Sequence, residues 1–194
     1  MRIFVGIDLD DEIRAKIARF LEGVRGFAPD VRWMGPQSLH ITLKFIGEQK
    51  PEQVAAITER LQLVEGKSAK IRFAEYGFFP TAKAPRVFWI GIQAGPELVE
   101  LASGIDSALA ELEIPREERL FSPHLTLARG GRSGSPKWRK EDSPNSAFAE
   151  LQKRLAAMNK LDFGTMTARE FFLYQSQRSP GGSKYTKLNR FSLQ

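Results

Sequence analysis

Cysteine is absent from this 194-residue chain, and histidine occurs only twice. The first absence excludes disulfides and thiolate metal centres and is compatible with a reducing compartment. The second leaves too few imidazoles for a zinc site without carboxylate help, and no His-Glu-x-x-His spacing is present. No metal and no cofactor is therefore expected. No apolar run approaches the length of a membrane span. The opening Met1–Asp8 meets charge too early for a signal peptide. A cytoplasmic protein with no membrane partner is the expectation. The glycine patterns of dinucleotide and P-loop sites are missing too.

What is present is ordinary in amount: 42% hydrophobic and 27% charged residues, the balance of a globular protein. The length allows one large domain or two small lobes with a proper core, and residues 1–194 are read as a single bilobal domain. The net charge of +6 favours a polyanionic partner, with RNA or DNA the obvious class.

Both histidines open the same pattern, His-apolar-Thr-Leu. One copy is His40-Ile41-Thr42-Leu43, followed by Lys44-Phe45; the other is His124-Leu125-Thr126-Leu127, followed by Ala128-Arg129. Each lies in a β-branched, apolar run bounded by breakers, which reads as a strand. Side chains at i and i+2 share a strand face about 7 Å apart, so His40 lies with Thr42, and His124 with Thr126. Two such strands offer two imidazoles and two hydroxyls to one concavity. That set suits a phosphodiester: one His takes a proton from water, the other protonates the leaving oxygen, and the hydroxyls hold phosphate oxygens. Spacing alone does not decide which imidazole plays which part.

Around the motifs the chain alternates. A buried strand over Arg2–Asp8 is followed by a helix capped by Asp8 or Asp10, with Ile13, Ile17, Phe20, Leu21 and Val24 at helical spacing. Pro51 starts a second helix. Strands are expected over Ala69–Phe79 and Arg86–Ile92, the latter apolar on both faces and so central. A third helix spans Glu97–Leu112 and a fourth Ala147–Met158. Strands follow over Leu161–Phe163, Ala168–Tyr174 and Tyr185–Leu193. Gly130–Ser146 and Ser176–Lys184 read as basic loops. The fold class is α+β, with duplicated lobes in pseudo-two-fold relation, antiparallel sheets facing a central cleft, and helices outside.

These residues resemble the two-histidine phosphoesterase superfamily. Within it they are most similar to the LigT-like RNA 2′,3′-cyclic 3′-phosphodiesterases, once described as 2′-5′ RNA ligases. The similarity lies in Arg2–Asp8, Leu39–Gly47, Phe121–Arg129, and the closing Tyr174–Ser176 with Tyr185–Leu188. It implies metal-independent opening of a terminal RNA 2′,3′-cyclic phosphate to a 2′-phosphate. It also implies His40 as proton donor, His124 as acceptor, and Thr42 and Thr126 as phosphate contacts. The expected partner is RNA with such an end, tRNA fragments included, and a monomer is expected. A reversible 2′-5′ ligase on the same scaffold and a non-catalytic RNA-binding protein are the alternatives.

Further candidates stand around the motifs. Lys44 shares a face with His40 and Thr42 by alternation and is a candidate for holding RNA. Arg129 falls on the face opposite His124 in a regular strand, so a phosphate contact from it needs a bulge or the strand end. Trp33, Phe45, Phe121 and Tyr185 are candidates for stacking a base, and Arg178, Lys184 and Lys187 for gripping the RNA backbone.

Overall fold

The computed structural model describes residues 1–130, 146–180 and 182–194. The expected basic loop over Gly130–Ser146, with Arg132, Lys137, Arg139 and Lys140, therefore falls almost wholly outside the described residues.

Strand β1 (Arg2–Asp8) buries Ile3, Val5 and Ile7 on one face. Asp10 then caps α1 (Asp11–Val24) by accepting from the Ile13 N–H at 2.8 Å, satisfying one of the first-turn donors that a helix leaves open. After the short β2 (Arg32–Trp33), a 3₁₀ turn over Pro36–Ser38 delivers β3 (His40–Glu48), the first motif strand. Pro51 opens α2 (Pro51–Gln62), followed by β4 (Ala69–Phe79). The second half repeats the order: β5 (Val87–Ala94), α3 (Pro96–Ala110), β6 (His124–Arg129) as second motif strand, α4 (Ala149–Ala156) and β7 (Asp162–Ala168). Strands β8 (Glu170–Ser179) and β9 (Gly182–Ser192) close the chain.

The strands form two antiparallel sheets with orders β3-β1-β8-β9 and β2-β6-β5-β4-β7. Thus β5 is central in its sheet, as its two apolar faces require. Helices α2 and α3 lie behind the first sheet, and α1 packs on β7 behind the second. Each lobe is therefore covered by a helix that follows a strand of the other, which ties the halves into one apolar cluster. The basic loop expected over Ser176–Lys184 is mostly a hairpin instead. Gln177 pairs with Lys184 and Arg178 with Ser183, because the polar residues there continue the β8–β9 ladder almost to the turn.

Candidate active site

The motif strands β3 and β6 lie against each other where the sheets meet. Each carries a bulge at the same place after its motif, and β3 has a second irregularity at Ile46. Gly6 pairs with Thr42 and Val5 with Lys44, leaving Leu43 as the extra residue. Trp89 pairs with Thr126 and Phe88 with Ala128, leaving Leu127 extra. A bulge places two residues against one and reverses the alternation beyond it. Leu43 and Lys44 are consequently both buried, and so are Leu127 and Ala128. The residue five past each histidine, Phe45 in β3 and Arg129 in β6, returns to the cleft face and is exposed.

The same local device holds each imidazole. His40 Nδ1 lies 2.8 Å from the Ser38 carbonyl oxygen, and His124 Nδ1 lies 2.8 Å from the Ser122 carbonyl oxygen. A carbonyl only accepts, so Nδ1 carries the proton and Nε2 is the working nitrogen of both rings. Nε2 makes no hydrogen bond to the described residues. Aromatic rings back each histidine. His40 stands 4.6 Å from Phe4 and 4.9 Å, edge-on, from Tyr185. His124 stands 5.0 Å, edge-on, from Phe79 and 6.4 Å from Trp89. The Trp89 indole lies over Gly77, where a Cβ would come within 2.2 Å of the ring; only glycine admits it.

Burial between these rings disfavours the charged imidazole. It holds the pKa of His40 at about 4 against the usual 6.5; Arg129 and His124 push the same way, and the Ser38 carbonyl and Asp8 oppose them. His124 is lowered by burial first and by Arg129, against the Ser122 carbonyl. Both rings are thus neutral in the free protein at neutral pH. The charge of Arg129 acts on both. Its own pKa is lowered, first by desolvation and then by Arg32 and Arg2, while Tyr185 opposes. Tyr185 stands against His40.

The family profile described as LigT like Phosphoesterase matches residues 7–89 and again 90–185. The chain belongs to the LigT-like phosphoesterase family. Each matched half holds one His-x-Thr strand, and each supplies strands to both sheets. A protein of Archaeoglobus fulgidus named RNA 2′,3′-cyclic phosphodiesterase is 36% identical over 191 residues, covering 98% of this chain and 99% of its own. One of the same name from Methanocaldococcus jannaschii is 30% identical over 185 residues, 95% of this chain and 96% of its own. The crystal structure of E. coli LigT complexed with 3′-AMP superposes with a TM-score of 0.76 at 26% identity, covering 99% of this chain and 97% of that one.

In this LigT-like chain His40, Thr42, His124, Thr126 and Arg129 lie outside the buried apolar core and are partly or fully exposed, and Tyr185 packs against His40. Lys44, by contrast, is 2% exposed and points behind the sheet, where Nζ donates to Asp106 at 2.5 Å and to the Pro115 carbonyl at 2.7 Å. The bulge at Leu43 is the reason, and the expected RNA contact from Lys44 is withdrawn. Removing one partner of such a buried pair leaves the other unsatisfied. Lys44→Ala is expected to lower unfolding free energy by about 2–4 kcal/mol in urea titration, with the salt dependence of RNA binding unaltered. Unchanged stability with a shallower salt slope would restore the RNA-facing role.

Lys187 is also committed, its Nζ lying 2.5 Å from Asp8 and 4.1 Å over the Phe172 ring. Trp33 donates to the Ala28 carbonyl at 2.9 Å and packs edge-on against Phe88, which makes it a framework residue rather than a free stacking platform. Asp8 and its partner Arg14, together with Phe4 and Tyr174, were not singled out by the motifs. Alternation along β1 held the signal, since Arg2, Phe4 and Asp8 share the face opposite Ile3, Val5 and Ile7. Burial, followed by the charge of Asp8, pushes the Tyr174 phenol up, so it stays a neutral O–H beneath His40.

Proposed function

We propose that this LigT-like phosphoesterase hydrolyses terminal RNA 2′,3′-cyclic phosphates to 2′-phosphomonoesters. The observation that supports the reading is the matched pair of imidazoles, each with Nδ1 held by a backbone carbonyl, on two strands that lie against each other. His124 Nε2 takes a proton from water as the water oxygen bonds to phosphorus. The bond from phosphorus to O3′ breaks on the far side, and His40, charged to imidazolium by a proton from solvent once the anionic phosphate is bound, gives its Nε2 proton to that oxygen. Thr42 and Thr126 donate to the non-bridging oxygens, and Arg129 balances the charge that grows on them. The names of the relatives supply the substrate class, and the cleft between the sheets suits an RNA end. The reaction as written needs no metal. Among the described residues no three His, Asp or Glu side chains are grouped to hold one.

The test is to incubate the purified protein, in chelator, with a short RNA ending in a 2′,3′-cyclic phosphate. The expected product is a 2′-phosphate, identified by chromatography against authentic 2′-phosphate and 3′-phosphate standards. Turnover that requires added metal, joining of RNA ends without hydrolysis, or tight binding without turnover would each contradict the proposal.

A further inference from the structure

Beyond Arg129 the cleft holds a second group of cations that the chemical step does not use. Arg32 on β2 pairs directly with Arg129 on β6, and residues opposite each other in an antiparallel pair share a face. Arg2 shares its β1 face with Phe4, and its guanidinium stands 4.9 Å from the centre of the Phe45 ring. Arg32 stands opposite Arg129, at the end of β6 away from His124, and Arg2 stands at the end of β1 away from Asp8, which pairs with His40. Both therefore lie at strand ends away from the imidazoles.

Like charges directly opposed on a sheet are unfavourable, and here nothing compensates them. Among the described residues, Arg14, Arg60, Arg72, Arg116 and Arg190 each have a carboxylate partner. Arg2, Arg32 and Arg129 have none within ion-pair distance. Beside them Phe45, large and apolar, is 46% exposed. A cluster of uncompensated guanidinium groups flanked by a bare aromatic ring matches the chemistry of a single-stranded polynucleotide, phosphates on cations and base on ring.

We infer that Arg2, Arg32 and Phe45 form a subsite for the nucleotide step on the 5′ side of the cyclic end. The two guanidinium groups take the internucleotide phosphate and Phe45 stacks a base. This rests on the proposed hydrolysis and adds to it that an RNA end, rather than a free cyclic mononucleotide, is the preferred substrate. The 2′,3′-cyclic phosphate is the 3′ end of its strand, so the chain continues in one direction only. The bulge at Leu127 sets Arg129 about 7 Å along the strand from Thr126, and Arg32 lies across from Arg129 at that level.

The test measures kcat/KM on two substrates with the same protein: a 2′,3′-cyclic mononucleotide, and a trinucleotide ending in the same cyclic phosphate. The expected result is a wild-type preference for the trinucleotide. In the double variant Arg2→Ala, Arg32→Ala that preference falls about 10- to 100-fold, and the slope of log kcat/KM against log salt for the trinucleotide flattens by about one. Phe45→Ala lowers the preference about tenfold and Phe45→Trp keeps it. Because the preference is a ratio within one preparation, a partly folded variant does not imitate the effect. Hydrolysis of both substrates with an unchanged ratio in the variants overturns the subsite and leaves the proposed function standing. Hydrolysis of neither substrate by the wild-type protein overturns both.

Discussion

Replacing either histidine by alanine is expected to lower kcat on a cyclic-phosphate RNA by about 10²- to 10⁴-fold, the usual weight of one general acid or base. That is about 3–5 kcal/mol of barrier. The fold should persist, because both rings are half-buried cleft residues whose hydrogen bonds run to nearby carbonyls and not across the core. The double variant should be little worse than either single one, since the two rings act on one transition state and their effects do not multiply. The roles separate with a substrate bearing sulfur in place of O3′. A thiolate leaves without a proton far more readily than an alkoxide, thiols having a pKa near about 8.5. That substrate should restore most of the activity of His40→Ala and little of His124→Ala. Restoration of His124→Ala instead would exchange the two roles.

The second large effect is on pH dependence. Catalysis needs one neutral and one protonated imidazole, so kcat/KM follows the singly protonated free enzyme. That form is most abundant between the two apparent pKa values of the pair. Burial sets His40 at about 4 and lowers His124, so both values lie below 6.5 and the optimum of kcat/KM is acidic. Above the higher value each further pH unit removes one required proton, and kcat/KM should fall about tenfold per unit from roughly pH 6.5 to 8.5. Binding changes the sign of the local field. An anionic phosphate between the rings favours imidazolium, so the kcat profile should peak at higher pH than the kcat/KM profile. A kcat/KM optimum at or above pH 7.5 would mean that the rings are not held neutral by their surroundings.

Much of this site was legible in the chain. Two copies of His-x-Thr-Leu used every histidine, and period-two alternation correctly set His40 with Thr42 and His124 with Thr126. The same rule failed one step later, at Lys44 and Arg129, for a single reason. Leu43 and Leu127 are bulges, and a bulge belongs to the hydrogen-bond register with the neighbouring strand, which local sequence does not display. Alternation put Lys44 in the cleft and Arg129 behind it; the bulges bury Lys44 against Asp106 and turn Arg129 to the exposed face. The hairpin of β8 and β9 was obscured by the Pro-Gly-Gly sequence at residues 180–182. Its ladder is held by backbone pairing, which polar residues such as Gln177 and Lys184 support without an apolar signature. The Arg2, Arg32 and Phe45 cluster was invisible for another reason: its members come from three strands and meet only after the sheets have folded.

With only two histidines in the chain, the imidazole ¹⁵N NMR spectrum contains two ring systems and can be followed site by site. The decisive measurement is a pH titration of that spectrum in the free protein and with a non-hydrolysable 2′,3′-cyclic phosphate analogue bound. The expected result is Nδ1–H tautomers with depressed pKa values in the free protein, and an upward shift of both rings at one equivalent of ligand. A shift of one ring alone, or of neither, would show that the two imidazoles do not share a phosphorus centre.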